Sequence, residues 1–105
     1  MLAPPRSEAC CILGEKFFKE GDFNTAKYWY NAALNCDNNV GGGGFFNADY
    51  CGFVPLMQLC VIYDRLGDFK RANAFNEAAG KIKPHNENFL INKKYFRERI
   101  GKEET

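Results

Sequence analysis

The chain carries one pattern twice. The stretch "LGEKFFKEGDFNTAKYWYNAAL", which begins at Leu13, aligns without a gap on "LCVIYDRLGDFKRANAFNEAAG", which begins at Leu59. Leu13 pairs with Leu59, Gly14 with Cys60 and Phe17 with Tyr63; Gly21-Asp22-Phe23 pairs with Gly67-Asp68-Phe69, and Ala26 and Ala33 with Ala72 and Ala79. A pattern repeated at this length marks a supersecondary unit used twice, which excludes most other folds at once.

Each paired position has a physical reason. Leu13 and Phe17, like Leu59 and Tyr63, recur at helical spacing and predict an amphipathic first helix in each copy. Gly21 and Gly67 supply the positive φ that closes a helix C-terminus. Asn24, Asp22 and Asp68 are the cap candidates for the second helices. Small residues at Gly14 and Cys60, facing Ala26 and Ala72, let the two axes of a hairpin approach closely. Pro84 stands where a new helix would be set up. Beyond it Phe89, Lys93, Phe96 and Ile100 share one stripe with Leu90 alongside, and Asn92, Lys94, Glu98 and Arg99 fall opposite. That spacing predicts an amphipathic terminal helix that shields the last hairpin.

The pattern resembles the tetratricopeptide (TPR) consensus: a large residue, Leu-small, an aromatic, a Gly-containing turn, Ala, an aromatic, Ala, then Pro. The resemblance implies an all-α, TPR-like α-α superhelix made of two helix-turn-helix repeats plus a C-terminal capping helix. The expected layout is a linker remnant at 1–6, hairpins at 7–36 and 53–83, a Gly/aromatic insert at 37–52, the capping helix at 84–101 and a tail at 102–105. Two departures stand out. The aromatic position of the second helix is Tyr30 in the first copy and Asn76 in the second, which implies a slight rotation or a polar partner. The copies are also 46 positions apart instead of about 34. The surplus is "DNNVGGGGFFNADYCG", where Gly41 to Gly44 predict a hinge, and Phe45, Phe46, Tyr50 and Phe53 predict an aromatic segment pinned to the helices.

A chain of 105 residues has room for one modest core. Its formal charge of +1 gives no field to draw it to nucleic acid or an anionic membrane. No apolar run approaches the ~20 residues of a membrane span, and no leader is visible, so a cytoplasmic location is expected. The cysteines are Cys10, Cys11, Cys36, Cys51 and Cys60, with no CxxC and with His85 as the one histidine. They read as small buried side chains in a reducing compartment, and no metal or cofactor is expected.

Candidate chemistry is sparse. His85 sits beside Pro84 in a predicted turn, without a triad neighbourhood. Cys10 and Cys11 diverge by roughly 100° on a helix, which argues against a paired redox switch. The four glycines lack the Lys-Ser/Thr of a phosphate loop. Lys93, Lys94, Arg97, Arg99 and Lys102 are interleaved with Glu98, Glu103 and Glu104, as on a solvated helix end.

A surface for binding protein is the better expectation. Mapping the TPR groove positions gives Glu8, Cys11, Glu15, Phe18 and Lys19 in the first copy, and Val54, Met57, Val61, Asp64 and Arg65 in the second. Glu8 and Glu15 stand where a clamp for acidic tails would need cations or amides, while Phe18, Met57 and Val61 make the groove partly apolar. Four longer strings are more specific: "PPRSEACCILG", "AKYWYNAAL", "FFNADYCGFVPLMQLCVIYDRLGDF" and "AFNEAAGKIKP…NKKYF". In this order they resemble the C-terminal region of bacterial family-2 glycosyltransferases of the A-type fold, across Pro4 to about Phe96. The resemblance implies a parent enzyme using a nucleotide-sugar donor, with its Asp-x-Asp motif in a catalytic domain that this segment lacks. The expected role here is non-catalytic: self-association, docking of an acceptor protein or peptide, or contact with the catalytic domain. The alternative is a stand-alone TPR adaptor that binds a short peptide or helix.

Overall fold

The computed structural model describes residues 6–35 and 52–103. It is all-helical: α1 (Arg6–Lys19), α2 (Phe23–Leu34), α3 (Phe53–Arg65), α4 (Phe69–Ile82) and α5 (Glu87–Glu103), with no strand among the described residues. The expectations placed on residues 37–51, including the glycine hinge and Phe45, Phe46 and Tyr50, lie outside the described residues, as do residues 1–5 of the linker expected at 1–6, whose last residue, Arg6, begins α1. Helix α5 starts after the turn at Pro84 and His85 and runs on to Glu103, two residues past the expected end of the cap.

The two hairpin junctions are the same structure built twice. Gly21 has φ 82° and Gly67 φ 84°, the left-handed conformation that glycine adopts without a Cβ penalty. Each glycine and the aspartate after it satisfy the last carbonyls of the preceding helix. Gly21 N–H donates to Phe18 O (3.0 Å) and Asp22 N–H to Phe17 O (2.9 Å); Gly67 N–H donates to Asp64 O (3.0 Å) and Asp68 N–H to Tyr63 O (2.9 Å). These are the paired bonds of a Schellman closure. The same aspartates then cap the next helix, Asp22 Oδ1 accepting from Thr25 N–H (3.2 Å) and Asp68 Oδ1 from Arg71 N–H (3.1 Å). Asn24, the other cap candidate, lies within the first turn of α2. The aspartate wins because it directly follows the glycine, so one residue serves both helix ends.

The chain forms two compact units, divided at Pro55 inside the first turn of α3. In the first, α1 and α2 pack as a hairpin. Ala26 and Ala33 are fully buried, as the repeat predicts. Gly14 lies against the Tyr30 ring, from which a Cβ there would stand 2.8 Å. The small residue makes room for the consensus aromatic, which is 2% exposed. Phe18 meets Phe23 across the junction, ring centroids 5.5 Å apart.

In the second unit Cys60, Ala72 and Phe96 share one buried cluster, ringed by Tyr63, Phe69, Phe75 and Ile100. Here the expected meeting of Cys60 with Ala72 is found. Tyr63 and Phe75 stack at 5.3 Å with planes 8° apart. Helix α5 docks through Phe89 and Phe96, whose burial is worth roughly 1.5–3 kcal/mol each. Its N-terminus is capped by Asn86, whose Oδ1 accepts from Phe89 N–H (3.1 Å).

Asn76 has the polar partner that its departure from the consensus called for. It is fully buried; its Nδ2 donates to Phe89 O (3.2 Å) and its Oδ1 accepts from Asn92 Nδ2 (3.2 Å). An aromatic residue at position 76 would have left that α5 carbonyl and amide to find other partners. Asn92 was expected on the solvent face and instead turns towards α4, whereas Leu90, expected beside the buried stripe, is 48% exposed.

Candidate interaction surface

The first-copy residues expected to line a groove differ in what they present. Cys11 is buried at 4% exposure. Glu8 is half-buried. Glu15 and Lys19 are exposed and form an i,i+4 ion pair of 3.1 Å, an arrangement worth only about 0.3–0.5 kcal/mol. Phe18 is half-buried against Phe23.

The second-copy residues are more varied. Val54, Met57 and Val61 are half-buried along α3, and Arg65 is exposed at its end. Asp64 is committed within the fold: its Oδ1 accepts a 2.8 Å hydrogen bond from the Tyr95 hydroxyl of α5. Beside that bond the Arg99 guanidinium lies 4.6 Å from the Phe69 ring and 5.6 Å from the Tyr95 ring. Burial raises the Tyr95 phenol above its ordinary value, and the bond to Asp64 raises it further. Asp64 thus pins α5 to α3 and is less available to a ligand than the groove mapping expects.

The thiol chemistry is quiet at Cys60. Burial, aided by the Asp64 charge, pushes its pKa up to about 12, which keeps the thiol protonated and poorly nucleophilic near neutrality. His85 is exposed in the turn before α5. Among the described residues no three of His, Cys, Asp and Glu converge as a metal site would require. Nor is any described helix long and apolar enough to cross a membrane.

The sequence mapping missed a groove between α4 and α5 of about 390 Å³. Asn73 and Glu77 form one wall and Lys93 and Arg97 the other; Phe96, Ile100 and Gly101 complete the lining. A signal for it existed. Each wall pair is spaced i,i+4, and on α5 Lys93 belongs to the stripe that Arg97 flanks. The TPR consensus directs attention to the first helix of each repeat, away from this face. Comparison with protein-family models, with curated proteins and with solved structures gives no match.

Proposed function

We propose that this chain is a non-catalytic protein-interaction module of TPR type, the C-terminal accessory segment of a bacterial nucleotide-sugar-dependent glycosyltransferase. The observation that carries the module reading is the duplicated hairpin junction, with matching glycine torsions and the same closing and capping bonds in both copies. A TPR array needs that junction, because each hairpin must return its second helix against its first at a fixed angle. The glycosyltransferase parentage rests on the four sequence strings alone. In this reading the module serves self-association, acceptor docking or contact with the parent's catalytic domain.

Two measurements test it. Sedimentation equilibrium over a wide concentration range should show average mass rising with concentration if the module self-associates; a strict monomer at the highest concentration removes that role. The coding sequence upstream of Met1 tests the parentage. A nucleotide-sugar domain there supports it, and an upstream region without one leaves the stand-alone adaptor.

A further inference from the structure

We propose that the groove between α4 and α5 docks an acidic peptide segment of a partner protein, whose carboxylate sits between Lys93 and Arg97. The inference rests on the interaction-module reading and gives it a location and a ligand chemistry. Lys93 and Arg97 lie one turn apart on α5, so both reach the same wall. Among the described residues no ion pair joins either cation to Glu77. Lys93 Nζ instead lies 5.7 Å from the Phe89 ring, which holds the ammonium near the groove while leaving its hydrogen-bonding capacity unused.

The opposite wall argues for a peptide over a simple anion. Asn73 and Glu77 present oxygen acceptors along one wall, and the spaced backbone N–H donors of a peptide can meet both at once. Half-buried Ile100, beside the buried Phe96, gives an apolar side chain of the segment a seat. The volume falls within the range of roughly 300–1,000 Å³ typical of ligand sites. Gly101 borders the groove, and a Cβ added there meets nothing within 4 Å. A larger residue at that position therefore adds bulk at the groove's border without a clash at its Cβ.

The test is an amide-resolved NMR titration of the whole chain with two pools of short capped peptides. One pool mixes Asp, Glu, Leu and Phe; the other replaces the acidic residues with Lys. The acidic pool is expected to move the amides of Asn73, Glu77, Lys93 and Arg97. Combining Lys93→Glu with Arg97→Glu should weaken that binding at least about tenfold and shift preference to the basic pool. Gly101→Leu should block binding while circular dichroism stays unchanged, which guards against a charge reversal that fails to fold. Silence at the groove, equal response to both pools, or the same response to succinate or inorganic phosphate would each overturn the proposal. Shifts confined to Glu15, Val61 and Arg65 would overturn the groove while leaving the module reading in place. No peptide response anywhere, with a strictly monomeric chain, would remove both.

Discussion

Gly80 and Gly101 both lie inside helices, where an isolated glycine costs up to about 1 kcal/mol relative to alanine. Their surroundings give the same substitution opposite signs. A Cβ at Gly80 would run into the Phe89 ring, one of the two aromatic anchors of α5. A Cβ at Gly101 meets open space. Gly80→Ala should therefore destabilise by about 1–3 kcal/mol through overpacking. Gly101→Ala should stabilise by about 0.5 kcal/mol, limited by its place in the last turn. Urea midpoints at unchanged m-value read both effects, and a shared sign would show that Gly80 does not set the α4–α5 approach. Asn76 belongs to the same contact. Its two hydrogen bonds fix how far along α4 the α5 backbone sits, a specificity that apolar packing supplies less sharply.

At the scale of helices, the sequence repeat translates directly into backbone geometry at the junctions. Glycine followed by aspartate is a local instruction: the left-handed turn, the closing bonds and the cap all arise within a few residues of Gly21 and Gly67. Ala26 and Ala72, the next repeated positions, are both fully buried. Ala26→Leu or Ala72→Leu should cost about 1–3 kcal/mol by overpacking. Glu15→Ala or Lys19→Ala should stay within roughly 0.5 kcal/mol, since the ion pair is exposed. Thermal or urea unfolding of the four variants checks this, and similar losses in both sets would mean the repeat register is misassigned. What the sequence hid depends on partners far along the chain. Gly14 reads as a small residue for a small residue, yet the Tyr30 ring, sixteen positions on, decides its use. Asn92 reads as surface because periodicity ranks it by polarity, and only Asn76 on another helix explains its inward turn. The α4–α5 groove is half legible for the same reason: each wall shows its i,i+4 spacing, but local spacing cannot bring the two helices together. Cys11, mapped to a consensus groove position, is a small apolar residue and is 4% exposed.

Across the molecule, the groups with raised pKa values all favour their neutral forms, which gives stability a definite pH dependence. Burial is the leading cause at the Tyr30 phenol and at the Cys60 thiol, with Cys11 and Glu15 adding to it at Tyr30 and Asp64 at Cys60. Each group has its reference pKa in the unfolded chain, 10.0 for Tyr30 and 9.0 for Cys60, and a higher one when folded. Below the reference values both states hold the proton and the contribution is fully present. Above them the unfolded chain ionises first, the folded chain holds more protons, and stability falls as pH rises. For Cys60 the loss runs from about 9 to about 12; for Tyr30 it begins near 10. Within those windows each group steepens the decline by up to about 1.4 kcal/mol per pH unit. Tyr95 adds in the same direction but more weakly, because its hydroxyl lies near solvent, where water screens the bond to Asp64. Tyr30→Phe combined with Cys60→Ala removes both buried protons while retaining the Tyr30 ring that fills the space over Gly14. The double variant starts from a lower stability at neutral pH and then declines less steeply than the parent above pH ~9. Urea midpoints collected from neutral pH upward give the two slopes. Parallel curves would mean that the buried phenol and thiol ionise as readily in the fold as in the open chain, and that neither hairpin core excludes water at these two sites.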